Sequence, residues 1–218
     1  MLHLLSNSAT KLIQSPQTKR VSDIILASMA LILSYPLRKI IEHQIKKEDG
    51  GDVYYPQIRV GKNGQEFKMW KYRSMKNVEG AENDPSQDAQ RKTRFGRFIR
   101  AKGFDEIPQF WNVLYGDMSM VGPRPRMIKE IEKIPEDQRK IILSVPQGIF
   151  GPYQNAQIYR PGEVTAESTI KREVEFAQGA PSIRRAFLYV GGGLMVALRG
   201  KEDHKPFATP QNDISPRP

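Results

Sequence analysis

Two adjacent carboxylates, Asp105 and Glu106, open the stretch FDEIPQFWNVLYGDMSMVGPRP, residues 104–125. Acids paired in this way can supply a nucleophile and a ligand for a hard cation, or simply the acidic start of a helix. Ile107, Phe110, Trp111 and Leu114 follow at i, i+3, i+4, i+7 spacing, which predicts a helix that buries these four and has Asp105 as its N-cap. Pro108 is compatible with a first turn, where no N–H is required of it, and the helix start would favour negative charge. Gly116 ends the helix, and Pro123-Arg124-Pro125 then fixes a guanidinium between two rigid φ angles, a form suited to phosphate. An acidic cap followed by an exposed proline turn accounts for the same pattern without any chemistry.

The rest of the composition favours an anionic partner. The 218 residues carry a formal charge of +10, which suits nucleic acid, an anionic lipid surface or a phosphorylated substrate. With no cysteine, the chain has no disulfide, thiolate metal site or Cys nucleophile. His3, His43 and His204 are scattered, so any metal is expected to be hard and oxygen-bound. The first segment lacks the charge order and apolar core of a signal peptide and is expected to be retained.

Several elements must position the acids. The most apolar run, residues 21–37, has only fourteen uncharged residues between Asp23 and Arg38, whereas a straight bilayer-spanning helix needs about twenty. Basic residues on both sides, Lys19-Arg20 and Arg38-Lys39, ask both ends to stay on one side. Ser34-Tyr35-Pro36 can break the helix, the serine hydroxyl taking up a released backbone group, and the run reads as a re-entrant hairpin. A kinked core helix of a soluble domain is the alternative. Beyond the break, Ile40, Ile41 and Ile45 are expected on one face of an interfacial helix with Lys39, Glu42, Lys46 and Lys47 on another, ending at Gly50-Gly51.

Residues 52–75 read as two strands about Lys62-Asn63-Gly64, an Asn-Gly hairpin. Its Gln57, Arg59, Lys68, Lys71 and Arg73 form either a plain polar face or a basic wall for a diphosphate. Residues 77–92 form a polar surface loop. Arg94, Arg97, Arg100 and Lys102 then alternate with Phe95, Phe98 and Ile99, a pattern suited to single-stranded nucleic acid or to lipid headgroups. Two short amphipathic helices split at Pro135 follow, then a Gly, Pro, Tyr and Gln-rich binding loop over residues 146–164. The apolar stretch 183–198 fits membrane-surface contact and plain packing equally, and the polar tail is expected to be disordered. The boundaries read as an N-terminal extension, 1–18; a re-entrant helix with its interfacial continuation, 19–49; a catalytic domain, 50–200; and a tail, 201–218. The sequence has no internal repeat and no Walker A or dinucleotide glycine fingerprint.

Three segments, KRVSDIILASMALILSYP, QIRVGKNGQEFKMWKYRSM and TRFGRFIRAKGFDEIPQFWNVLYGDMSMVGPRP, together resemble the bacterial sugar transferases that initiate surface-glycan assembly, the monotopic phosphoglycosyltransferases. The resemblance covers most of residues 19–125. It implies an α+β fold: a small monotopic membrane domain with a re-entrant broken N-terminal helix, amphipathic interfacial helices and a short β-hairpin. It further implies transfer of a sugar-1-phosphate from a UDP-sugar to polyprenyl (undecaprenyl) phosphate, with release of UMP, at the cytoplasmic face of the bacterial inner membrane. The family's role in capsule, exopolysaccharide and lipopolysaccharide synthesis comes with it.

By motif, Asp105 is similar to the family nucleophile that forms a covalent phospho-sugar enzyme, and Glu106 to the Mg²⁺ ligand. Arg124 is similar to a phosphate clamp and Arg100 to the arginine that meets the lipid phosphate. Gln109, of the Pro-Gln step, and the hairpin's Arg59, Lys71 and Arg73 join the expected substrate-binding set. The sequence departs from the family at Phe104, in place of leucine, and at Phe150, in the threonine position of a Pro-Gly-Thr-Gly segment. Glu175-Phe176 stands for an acidic-aromatic pair expected later. The expected partners are the donor, the acceptor and anionic lipids, with a homodimer left open. Nucleic acid is not expected, since the apolar run argues against a nucleic-acid module. A catalytically weak scaffold of the same fold is the other alternative.

Overall fold

The structure is a computed structural model that describes residues 15–76, 91–153, 164–179 and 189–192. The expected extension before Ser15, most of the polar loop 77–92, residues 154–163 of the Gly/Pro-rich loop, most of the stretch 183–198 and the whole tail lie outside the described residues.

Helix α1 (Pro16–Leu33) starts where Ser15 Oγ accepts from Thr18 N at 3.1 Å, with proline in the first turn. Its buried line is Asp23, Ala27 and Leu31, one residue per turn, while Val21, Ile25, Met29, Ile32 and Leu33 are exposed. After Ser34 the chain enters α2 (Tyr35–Asp49), bent 61° from α1. Pro36 brings no N–H to this turn, and the Arg38 guanidinium donates to Leu31 O at 3.1 Å. The Ser34 hydroxyl reaches the same carbonyl only at 3.5 Å, so the longer side chain does most of what the sequence assigns to the serine. No single described helix is long and apolar enough to cross a membrane, but the bent pair is by length and composition. In α2, Ile41 and Ile45 are buried while Ile40 is exposed, because neighbouring helix positions are about 100° apart. Gly50 closes α2 at φ 71°.

Strands β1 (Tyr54–Val60) and β2 (Glu66–Tyr72) form the expected antiparallel hairpin, with Val60 opposite Glu66 and Tyr54 opposite Tyr72. The turn is a single 3₁₀ turn in which Asn63 and Gly64 both have positive φ. Helix α3 (Arg94–Lys102) is capped by Thr93 Oγ1 and ends at Gly103, again left-handed at φ 71°. Helix α4 (Gln109–Tyr115) leads to strand β3 (Ser119–Val121). The two short helices split at Pro135 are α5 (Ile128–Ile131) and α6 (Glu136–Leu143), as the sequence predicts. Strand β4 (Gly148–Phe150) runs parallel to β3, and α7 (Ala166–Gln178) follows.

Three apolar clusters hold these elements together. One joins Ala27 of α1 to Met69, Val113, Met118, Met120, Val121 and Ile149. A second joins Ile41 and Ile45 of α2 to Val53, Tyr72, Ile99 and Ile107, and a third joins Val60 to Ile131, Ile134 and Ile142. The hairpin contributes to all three through Met69, Tyr72 and Val60, so it is the wall the α+β fold shares.

Candidate active site

Asp105 and Glu106 lie in a 3₁₀ turn (Phe104–Glu106) between α3 and α4 rather than at the first residues of a helix. Pro108 is the reason. In an α-helix its N–H would bond to Phe104 O, and proline has none. Ile107 N takes that carbonyl instead at 3.3 Å, and the tight pattern continues through Phe110 N to Ile107 O and Trp111 N to Pro108 O. The expected Asp105 cap is therefore corrected: Pro108 is the N-cap residue and α4 starts at Gln109. Asp105 is 7% exposed, and Glu106 beside it is partly open.

Of the four residues expected to be buried, Ile107, Phe110 and Leu114 pack against the apolar clusters, and Trp111 turns outward. Gln109, Asn112 and Val113 are buried, whereas Trp111 and Tyr115 are exposed and stack on each other. Asn112 can sit inside because its amide is satisfied there. Its Oδ1 accepts from Trp70 N at 3.0 Å, and its Nδ2 donates to Lys68 O at 2.7 Å and to Asp117 Oδ2 at 3.0 Å. The acidic turn is thereby tied to β2.

That tie brings basic groups to the acids. Arg59 pairs with Phe67, and Lys71 lies four residues beyond Phe67, so both project from one face of the hairpin. Burial pushes the Lys71 ammonium below its usual range, Glu106 and then Asp105 hold it up, and Arg124 and Arg59 push it further down. For Arg59 too, burial lowers the value, Glu130 opposes, Arg124 adds to the lowering and Glu106 opposes it. Asp105, Glu106 and Glu130 thus form one charge cluster with Lys71, Arg59 and Arg124.

The loop carrying Arg124 is held on several sides. Arg59 donates to Pro125 O at 3.3 Å, to Glu130 Oε2 at 3.1 Å and to Gln57 Oε1 at 2.7 Å. Gly148 N donates to Pro123 O at 2.8 Å, and Gly122 N to Phe150 O at 3.0 Å. The two glycines are required by this contact: a Cβ on Gly148 would stand 2.0 Å from Gly122 N, and one on Gly122 2.3 Å from Pro146 O. Phe150 is therefore a backbone partner of the loop. The Arg124 guanidinium lies 4.8 Å from the centre of the Tyr153 ring.

The remaining expected site residues are Arg73, Arg100 and Gln109. Arg73 is buried with its guanidinium against Gly51, where an added Cβ would be 2.3 Å away. Arg100 is exposed in the last turn of α3, and Gln109 is buried in the first turn of α4. The sequence reading missed Glu130, Glu173, Tyr153 and Gly148. Glu130 had a signal, three residues after Met127, whose N–H its carboxylate accepts at 2.8 Å. Glu173 had none, since an acid on an amphipathic helix ordinarily faces water. Glu175-Phe176 contributes Phe176 to the first cluster's rim, against Tyr189.

The donor set suits one kind of metal. Among the described residues no group of three or more His, Cys, Asp or Glu side chains is placed to hold a metal ion. Mg²⁺ is commonly held by one or two carboxylates with phosphate oxygens and water completing the shell, and the hard oxygen donors of Asp105 and Glu106 are of the type that would hold it.

Helix α1 is anchored to the last turn of α4 and to β3. Arg20 donates to Val113 O at 2.5 Å and to Leu114 O at 2.8 Å, satisfying carbonyls in the last turn of α4. Buried Asp23 accepts from Ser119 Oγ at 3.1 Å and Met120 N at 3.0 Å, and Lys19 Nζ contacts both Asp23 Oδ2 and Ser119 Oγ. Lys19 and Arg20, flanking charges in the sequence reading, are fasteners in the fold.

Residues 14–184 match the family model described as bacterial sugar transferase. The UDP-glucose:undecaprenyl-phosphate glucose-1-phosphate transferase of Klebsiella pneumoniae is 40% identical over 117 residues, covering 53% of this chain and 25% of that protein. The Escherichia coli protein of the same name is 36% identical over 162 residues, covering 72% of this chain and 34% of its own. A putative undecaprenyl-phosphate N-acetylgalactosaminyl 1-phosphate transferase of Bacillus subtilis is 47% identical over 110 residues, covering 49% and 61%. The chain thus spans a quarter to about a third of the length of the first two.

Proposed function

The chain belongs to the bacterial sugar transferase family, and from that premise we propose that it moves a sugar-1-phosphate from a UDP-sugar to undecaprenyl phosphate through a covalent intermediate on Asp105. The observation that carries this reading is the nearly buried Asp105 beside Glu106 in a cluster with Lys71, Arg59 and Arg124. A carboxylate needs no deprotonation near neutral pH. What it needs is neutralisation of the diphosphate it approaches.

In the first step an Asp105 carboxylate oxygen bonds to the β-phosphorus, the bond from that phosphorus to the bridging oxygen breaks, and UMP leaves with the electron pair. In the second, an oxygen of undecaprenyl phosphate attacks the same phosphorus, the acyl-phosphate bond breaks, and Asp105 returns to a carboxylate. Lys71 and Arg124 are suited to the charge that shifts onto the leaving phosphate, while Arg59, paired with Glu130, holds the Arg124 loop beside them, so that little reorganisation is needed during the reaction. Mg²⁺, when bound through Glu106, would supply further charge neutralisation at the donor's phosphates.

The acceptor's lipid tail supports a place at the cytoplasmic face of the inner membrane for the apolar bent helix pair, in a re-entrant, monotopic arrangement. Arg100 is then suited to the lipid phosphate. Surface polysaccharide synthesis is the process such a product would enter.

The test is to incubate the purified chain with Mg²⁺ and a panel of UDP-sugars in the absence of acceptor and to record its intact mass. A phospho-sugar adduct, with stoichiometric UMP, is expected for the wild type and not for Asp105→Asn. No adduct and no UMP across the panel would falsify the reading.

A further inference from the structure

Glu173 is the most deeply buried carboxylate among the described residues, with 0% exposure, and it comes from α7, near the end of the stretch that matches the family model. Its two oxygens are divided between two arginines of one loop. Oε1 accepts from the backbone N of Arg124 at 3.1 Å, and Oε2 pairs with the Arg126 guanidinium. An acid so enclosed is stable only when its oxygens are satisfied, and here both partners lie in residues 124–126.

The division matters for the charge of Arg124. Glu173 ion-pairs with Arg126 and takes only the main-chain N–H of Arg124. The Arg124 guanidinium rests over Tyr153 and still acts on Lys71 and Arg59. A carboxylate on the guanidinium itself would cancel the charge an anion needs. One on the backbone fixes the residue and leaves the charge available.

We infer that Glu173 is a positioning residue: from α7 it latches the Gly-Pro-Arg-Pro loop by the Arg124 N–H, so that the Arg124 guanidinium is held ready for the donor's diphosphate. This rests on the reading of Arg124 as a donor contact given above. It makes α7 a support of the anion site, so sequence changes in the last third of the chain can alter donor binding without touching the donor.

Removing Glu173 alone would strand the buried Arg126 charge and risk unfolding. The test therefore removes the ion pair in both variants. Arg126→Met/Glu173→Gln keeps a side-chain oxygen opposite the Arg124 N–H, and Arg126→Met/Glu173→Met removes it. Hydrogen exchange of the Arg124 amide should stay within about threefold of wild type in the Gln variant and speed up at least tenfold in the Met variant. UDP affinity in Mg²⁺, by calorimetry, should fall about tenfold in the Met variant relative to the Gln variant. The KM for a polyprenyl phosphate acceptor should be equal in the two, which a general loss of structure would not give. Equal amide exchange, or faster exchange with equal UDP affinity, would overturn the inference. Failure of the wild type itself to bind UDP would instead reject the donor reading, and the amide comparison would still decide whether the latch exists.

Discussion

Lys71 carries a conflict that can be measured. Burial first, and Arg124 and Arg59 after it, draw its ammonium below the usual 10.5, against the pull of Glu106 and Asp105. The net shift is downward, so the folded protein binds this proton less tightly than the unfolded chain does. Stability must therefore rise with pH from the region where folded Lys71 deprotonates up to about 10.5, and the charged residue is a cost at pH 7. Lys71→Met is expected to stabilise the fold at pH 7 by about 1 kcal/mol in urea unfolding, with the gain shrinking as pH approaches 10.5. Its rate of adduct formation should fall about 100-fold, the scale for losing one preorganised group facing developing charge. A destabilised variant, or a gain that does not change with pH, would count against this account. The residue types and spacing around Asp105 were legible in sequence because chemistry needs particular side chains. The 3₁₀ turn was not, since it follows from one missing N–H at Pro108 and from where Phe104 O then finds a donor.

At the scale of elements, the fold fixes the first helix to α4 and β3 by polar fasteners set among apolar packing. Asp23 of α1 accepts from Ser119 Oγ and Met120 N of β3 and meets Lys19, so one buried acid joins two elements far apart in sequence. Asp23→Ala leaves the Met120 N–H without its acceptor and should cost about 3 kcal/mol, the range for a buried, charge-assisted hydrogen bond lost on one side. It should also speed amide exchange at Met120. A loss below about 0.5 kcal/mol, with Met120 still protected, would show that packing of Ala27 and Leu31 alone holds α1. The helix break, the hairpin and the split at Pro135 were readable beforehand, since each is announced by Pro, Gly or Asn-Gly. The docking of α1 on α4 was not, because Arg20 and Asp23 read in sequence as charges bounding an apolar run. Nor was the outward turn of Trp111, which depends on Asn112 finding its partners on β2.

For the whole molecule, these fasteners have a directional consequence. On its buried line α1 packs Ala27 into the first apolar cluster and bonds Asp23 to β3, its other side carries Val21, Ile25, Met29, Ile32 and Leu33, all exposed, and Trp111 and Tyr115 are exposed on the helix that Arg20 caps. On the proposed re-entrant reading, α1 and α2, bent 61° from each other, would insert this apolar side into one leaflet. Full burial of a Leu or Ile side chain contributes about 1.5–3 kcal/mol, so two residues at the bend can decide the association. Ile32 and Leu33, 72% and 76% exposed, have little packing to lose. The double variant Ile32→Lys/Leu33→Lys is expected to unfold at the wild-type urea midpoint, yet to lose at least tenfold in co-sedimentation with anionic lipid vesicles. It should keep adduct formation from a soluble UDP-sugar, because neither exposed side chain belongs to the Asp105 cluster, and lose transfer to a membrane-embedded polyprenyl phosphate. Unchanged co-sedimentation would mean that this face does not meet the lipid, and loss of both half-reactions would mean that α1 shapes the acidic turn itself rather than setting its height above a membrane.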